Sequence, residues 1–73
     1  MDDILDATGL LCPLPVLKAR KALLSLPVGA VLRLRTSDPM AVIDIPHFCT
    51  EAGHDLVTST DEGATHYFEI RRG

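Results

Sequence analysis

Residues 9–15 read Gly-Leu-Leu-Cys-Pro-Leu-Pro, and this stretch joins an extended N-terminal run to the first helix. Proline lacks a backbone N–H and holds φ near the helical value, so Pro13 and Pro15 suit the first turn of a helix. We therefore expect Cys12 at or just before the N-cap. The unpaired amides and the positive end of the helix dipole favour a thiolate there, which predicts a lowered pKa for Cys12 and a nucleophilic sulfur.

A second interpretation of Cys12 stays open, because most free cysteines are buried and serve as small hydrophobic side chains. The flanking Pro13 and Pro15 and the preceding Gly9 favour the functional interpretation. Gly9 either serves a turn or allows the loop to approach a partner closely and swing out, and we expect the turn.

Hydrophobic periodicity on the C-terminal side of this junction predicts the remaining elements. Ala30–Thr36 alternates between apolar and charged residues, as in a strand with one wet face. Ser37-Asp38-Pro39 is a helix-start signal. The predicted order is β-α-β-α-β-β, with strands at Ile4–Ala7, Ala30–Thr36, Leu56–Thr60 and His66–Arg71 and helices at Pro13–Leu26 and Met40–Ala52. Pro46 interrupts the second helix, so we expect a kink or a loose first turn before a firm second half.

Each predicted helix has one apolar face. These faces, with alternating strands, predict an open two-layer α/β (α+β) sandwich with both helices on one face of a four-stranded mixed sheet. Leu14, Leu17 and Leu24 fall outside the apolar stripe of the first helix, and we expect them to be partly exposed. The apolar faces comprise Val16, Ala19, Ala22, Leu23 and Leu26 in the first helix and Ala41, Ile45, Phe48, Cys49 and Ala52 in the second. We expect the opposite face of the sheet to expose four charged residues to solvent, Arg33, Arg35, Glu69 and Arg71.

Size and composition restrict the classes of function. A chain of 73 residues predicts one domain, residues 1–73, with no room for an enclosed cofactor pocket beside its core, so we expect no cofactor. The net charge of −3 disfavours direct nucleic-acid binding. The two cysteines lie far apart and do not predict a disulfide framework. Asp2 and Asp3 stand where a signal peptide would be basic, and no segment reaches membrane-spanning length, so we expect a cytoplasmic protein without membrane contact.

A second landmark lies at residues 44–50, Asp-Ile-Pro-His-Phe-Cys-Thr. Together with Leu5-Asp6-Ala7, Gly9, Cys12-Pro13-Leu14-Pro15 and the terminal Ile-Arg-Arg-Gly, it resembles the TusA/SirA family of small sulfur carriers over almost the whole chain. The resemblance implies the same β-α-β-α-β-β sandwich and a persulfide carried on the motif cysteine, which is Cys12 here. It also implies a donor protein, such as a cysteine desulfurase or a rhodanese, and an acceptor that leads to tRNA thiolation, molybdenum-cofactor maturation or sulfur oxidation.

Two positions differ from the tRNA-directed members of this family. Those members commonly place a basic residue before the cysteine and an acidic residue between the prolines, whereas this chain has Leu11 and Leu14. The cysteine therefore has a more apolar surround, with Leu14 and Leu17 as candidate partner-docking residues.

Charged residues near the motif also have two interpretations. Lys18, Arg20 and Lys21 either dock an acidic partner or form an ordinary solvated helix face. Asp44 either contacts a partner or caps the helix after Pro46, and capping is the commoner use of such a residue.

The remaining candidate residues point to structural roles. Cys49 follows Phe48 on the apolar face of the second helix, which favours a core position over a resolving thiol. His47, Cys49 and His54 do not predict a metal site, because residues at this spacing point apart on a helix and no Cys-x-x-Cys is present. His66 has no visible partner in the sequence.

Three classes of function remain. The favoured one is a covalent sulfur carrier acting as a sulfurtransferase without a bound cofactor, most simply a monomer that docks a donor and then an acceptor. The second is a non-catalytic interaction or regulatory module in which Cys12 is incidental. The third, RNA binding on the open sheet, is disfavoured because Tyr67 is the only tyrosine and there is no tryptophan to stack on bases.

Overall fold

A computed structural model describes residues 4–73 and has the predicted order of elements. The strands are β1 (Ile4–Ala7), β2 (Val31–Thr36), β3 (Asp55–Asp61) and β4 (His66–Arg71), and the helices are α1 (Leu14–Leu24) and α2 (Ala41–Ala52). No helix within the described residues is long and apolar enough to cross a membrane.

The four strands form one open, mixed sheet in the order β1-β2-β4-β3. β1 runs parallel to β2, whereas β4 is antiparallel to both β2 and β3. A β-bulge shifts the register of β3 between Leu56 and Thr58. The parallel β1–β2 pair requires a crossover, which α1 supplies, and the loop that enters α1 therefore leaves the end of an edge strand.

Both helices cover one face of this sheet, as predicted. Ala19 and Leu23 of α1 and Ile45 and Phe48 of α2 share a single core with the inward residues of the strands. The largest fully buried hydrophobic side chains of that core are Phe68, Leu23, Leu34, Ile45 and Ile70.

The opposite face of the sheet is less exposed to solvent than predicted. Arg33 and Arg35 are half-buried, and only Arg71 of the four predicted charged residues is exposed. Arg33 lies 3.5 Å from Glu69, and the Arg35 guanidinium lies over the Tyr67 ring. These contacts hold both guanidinium groups beside neighbouring side chains of the sheet.

The helices differ from the predictions in three details. α1 is shorter at both ends, and α2 is one continuous helix rather than a helix interrupted at Pro46. The first turn of α2 is loose: Val42 and Ile43 donate to carbonyls three residues back, and the first four-residue bond runs from Asp44 to Met40. Ala52 is exposed and not part of the apolar face.

Candidate functional site

Cys12 lies where the sequence placed it, one residue before the N-cap of α1. Pro13 is the N-cap, Leu14 is the first helical residue, and Pro15 occupies the second position, where its missing N–H costs no hydrogen bond. The Leu17 N–H donates to the Pro13 carbonyl at 3.1 Å and closes the first turn. The Cys12 side chain is exposed to solvent.

Two hydrogen bonds hold the loop before α1 against the segment before α2. The Gly9 N–H donates to Ser37 Oγ at 2.7 Å, and the Cys12 N–H donates to Asp38 Oδ2 at 2.6 Å. Asp38 is buried, and its second oxygen accepts the Met40 N–H at 3.0 Å. One carboxylate thus connects the cysteine loop to the start of α2. Gly9 has φ of +80° in this turn, which confirms the turn interpretation.

The Cys12 sulfur contacts a residue from the other helix. Sγ donates a hydrogen bond to Asp44 Oδ2 at 2.9 Å. Asp44 therefore does not cap α2, contrary to the expected use, because α2 begins three residues earlier and the carboxylate is turned toward the cysteine.

The electrostatics of Cys12 are opposite to the prediction. The hydrogen bond to Asp44, desolvation, and the negative charges of Asp44 and Asp38 raise the pKa of the Cys12 thiol above its ordinary value. The predicted lowered pKa is wrong, because it followed from the dipole of α1 alone, whereas Asp38 in the segment before α2 and Asp44 in α2 place carboxylates beside Cys12.

A groove of about 940 Å³ between α1 and α2 includes the cysteine. Its apolar lining comes from residues such as Val16, Leu24 and Phe48. The Arg20 guanidinium lies 5.6 Å from the Phe48 ring centroid, in cation–π contact. The remaining charged and polar side chains of the lining are Asp44, His47, Glu51, His54 and Arg72.

Comparison with known proteins gives the family. The profile described as "Sulfurtransferase TusA" matches residues 3–72. This chain belongs to the TusA family. A "Sulfur carrier protein TusA" from Pseudomonas paraeruginosa is 42% identical over 72 residues, covering 99% of this chain and 91% of the relative. Another protein of the same description, from Allochromatium vinosum, is 41% identical over 71 residues, covering 97% and 93%.

A solved structure confirms the fold of this TusA-family chain. The SirA-like protein from Desulfitobacterium hafniense superposes with a TM-score of 0.83 at 24% identity, covering 96% of each chain. Family membership supports a sulfur-carrier role, and such a role requires one partner that donates sulfur and one that accepts it.

The structure separates the predicted docking residues of this TusA-family chain into two groups. Arg20 and Asp44 line the groove with Cys12. Lys18 and Lys21 are exposed and do not line that groove. Leu14 and Leu17 are about half exposed, as expected for side chains outside the apolar stripe.

Several residues that surround Cys12 have no predictive signal for this place in the sequence. Asp38 was seen only as part of a helix-start signal, and its buried carboxylate is instead shared between Met40 and the Cys12 backbone. His47 Nε2 lies 3.3 Å from Glu51 Oε1 on the groove wall. The spacing of four residues on one helix could have predicted that pair, but no pattern in the sequence brings Asp38 or Asp44 to Cys12.

Cys49 occupies the core, as predicted. It is 2% exposed, and burial raises the pKa of its thiol. Two of the three histidines have structural contacts: His54 packs beside the Phe48 ring, and His66 lies 2.7 Å from Ser59 Oγ. Within residues 4–73, no group of three or more His, Cys, Asp or Glu side chains is arranged to hold a metal ion.

Proposed function

We propose that this chain accepts sulfane sulfur as a persulfide on Cys12 and passes it to an acceptor protein. The proposal rests on the contrast between the two cysteines. The Cys12 side chain is exposed just before the N-cap of α1, whereas Cys49 is 2% exposed. Sulfur exchange between proteins requires an exposed sulfur atom that can line up with the S–S bond of the partner's persulfide. In this chain, which belongs to a family of sulfur carriers, Cys12 Sγ meets this requirement.

The loading step is a displacement on sulfur. Cys12 Sγ attacks the outer sulfur of a donor persulfide, a new S–S bond forms, and the bond between the two donor sulfurs breaks. The donor cysteine leaves and takes up the proton that Cys12 lost. Unloading is the same reaction with an acceptor thiolate attacking the outer sulfur. No oxidant or reductant is consumed in either direction.

The raised pKa of Cys12 places a condition on this reaction. At neutral pH the free carrier holds mostly thiol, and the thiolate is the attacking species. The Cys12 thiol therefore loses its proton in the complex with a partner and not in the free carrier. This condition limits reaction with small electrophiles between transfers.

The same proposal extends to partners and setting. The donor is a protein with a persulfide, of the cysteine desulfurase or rhodanese type, and the acceptor is a protein thiol leading to tRNA thiolation, cofactor maturation or sulfur oxidation. The exposed Leu14 and Leu17 offer an apolar docking surface beside the cysteine. The carrier acts as a cytoplasmic monomer and as a single domain, without a cofactor or direct nucleic-acid contact.

The test is sulfur loading followed by intact-protein and peptide mass spectrometry. After incubation with a persulfide donor, the wild-type protein and the Cys49→Ala variant should gain the mass of one sulfur atom on Cys12, and the gain should reverse with a reducing agent. Cys12→Ser should show no gain while its circular dichroism spectrum stays unchanged, because the side chain is exposed.

Two outcomes would contradict the proposal. Loading retained in Cys12→Ser would move the cargo to Cys49. Absence of any adduct on the wild-type protein with several donors would favour the non-catalytic interaction module.

A further inference from the structure

We propose that Asp44 is a second functional residue of the sulfur-transfer site. In the unloaded carrier its carboxylate accepts a hydrogen bond from the Cys12 thiol and so fixes the orientation of that side chain. Loading with sulfur breaks this contact. The inference rests on the proposed function. It assigns Asp44 a role toward the reacting sulfur itself, in place of a role in helix capping.

The geometry constrains Cys12 from two sides. Its backbone N–H is bound by Asp38 Oδ2, and its Sγ is bound by Asp44 Oδ2 at 2.9 Å, across 32 residues of sequence. Asp44 is half-buried, and within residues 4–73 no cation forms an ion pair with it. The thiol proton is therefore the group that this carboxylate oxygen binds in the unloaded state.

The charges around the sulfur do not offset these carboxylates. Arg20 is stacked on Phe48, and Arg72 donates to the Leu26 carbonyl. His47 is paired with Glu51 on α2. His54 is a further titratable group of the groove. The loop of residues 8–13, which contains Cys12, has no basic residue. The raised pKa of Cys12 agrees with this arrangement.

Loading changes the hydrogen-bonding capacity of Sγ. In Cys–SH the sulfur carries a proton and donates, whereas in Cys–S–SH the same sulfur has two covalent bonds and no proton. The Sγ of a persulfide and the carboxylate of Asp44 are both acceptors, and two acceptors cannot keep a contact of 2.9 Å. Sγ of the loaded side chain must therefore give up its contact with Asp44 Oδ2.

The first test is the pH profile of iodoacetamide alkylation on the unloaded protein, in a Cys49→Ala background with one thiol. The wild-type midpoint should lie above that of an unstructured cysteine peptide in the same buffer. Asp44→Asn should lower the midpoint and alkylate on the order of three- to tenfold faster at pH 7.5, because a charged acceptor of the thiol proton is lost. Asp55→Asn, at an exposed position of β3 outside the groove lining, should match the wild type.

Either of two results would overturn the inference: a wild-type midpoint at or below that of the peptide, or an Asp44→Asn profile that equals the wild-type profile. A wild-type midpoint at or below that of the peptide overturns the inference even if Asp44→Asn does not fold. No sulfur donor is present, so a failure here leaves the mass assay on Cys12 untouched and the two proposals fail separately.

The second test uses methyl methanethiosulfonate, which converts Cys12 to a methyl disulfide and releases methanesulfinate. Sγ then sits in an S–S bond without a proton, as in the loaded carrier. The ¹³C carboxyl resonance of Asp44 should move on this modification, while that of Asp55, which lies outside the groove, stays in place. An unmoved Asp44 resonance would contradict the release of the contact.

Discussion

The reactivity of the Cys12 thiol is decided by the charges nearest to its sulfur. A helix N-terminus contributes the equivalent of about half a positive charge, spread over several amides. Against it stand two carboxylates, one of which accepts the thiol proton at 2.9 Å and the other of which binds the Cys12 backbone. The full charges at hydrogen-bond distance outweigh the dipole. A cysteine before a helix is thus not sufficient evidence for a thiolate.

Thr36 is another residue whose environment gives a prediction. Its side chain is fully buried in β2, and its hydroxyl has no hydrogen-bond partner among residues 4–73. Thr36→Val keeps the shape and removes the unsatisfied group, so we expect the free energy of unfolding to rise by about 1 kcal/mol. Urea denaturation of both proteins measures the change.

The control for Thr36 is Thr58→Val. The Thr58 hydroxyl donates to Glu69 Oε1 at 3.1 Å, so the same substitution there removes a hydrogen bond and should not stabilise the protein. A Thr36→Val variant less stable than the wild type would mean that the hydroxyl has a partner in solution, such as a bound water.

At the scale of elements, α2 explains how a helix with an internal proline can carry a site residue. Pro46 removes one backbone donor, yet α2 continues from Ala41 to Ala52 because Ile45, Phe48 and Cys49 are buried on one face. Burial of this face holds the helix against the local preference of proline. Asp44 lies on the turn before Pro46, in the part of α2 that faces the loop of Cys12.

The end of α2 depends on Gly53, which has φ of +79° and donates its N–H to the Cys49 carbonyl. A side chain at this position meets no atom within 4 Å, so the cost of a substitution is conformational. Gly53→Ala should destabilise the protein by about 1 kcal/mol, and Gly53→Asn by less, since asparagine tolerates the left-handed conformation better. Thermal denaturation ranks the three proteins. Equal stability of the alanine variant would show that the chain leaves α2 by another conformation.

At the scale of the whole molecule, stability depends on one thin layer of apolar side chains between the helices and the sheet. Phe68 lies at its centre on β4 and is fully buried. Phe68→Ala should cost about 3–5 kcal/mol. A domain of 73 residues has a total stability of roughly 4–11 kcal/mol, so this variant should be close to unfolding.

The control for Phe68 is Leu24→Ala. Leu24 is 68% exposed, and its truncation should change the free energy of unfolding by less than about 0.5 kcal/mol. Guanidinium denaturation followed by circular dichroism separates the two variants. A small loss for Phe68→Ala would contradict the single-core description.

The site is also a property of the whole molecule. Cys12 comes from the loop after β1, Asp38 from the segment after β2, and Asp44 from α2. The parallel β1–β2 pair places the two strand ends side by side, with Ala7 opposite Thr36, and so brings both loops together. The assembly of the site therefore requires the sheet.

Local patterns in the amino-acid sequence predict the order of elements, the layer architecture, the motif cysteine and its place before α1. These are encoded locally, because apolar periodicity, proline positions and the spacing of motifs act within a few residues of where they stand. The burial of Cys49 and the exposure of Leu14 and Leu17 followed from the same periodicity.

The chemistry of the Cys12 sulfur depends on contacts that form only when the chain folds. The contacts of Cys12 with Asp38 and Asp44 span 26 and 32 residues, and neither carboxylate has a sequence pattern that points to the cysteine. Electrostatic energy depends on distances of a few ångströms in space, which sequence separation does not give. The exposure of Ala52 is another feature that the apolar periodicity of α2 did not predict.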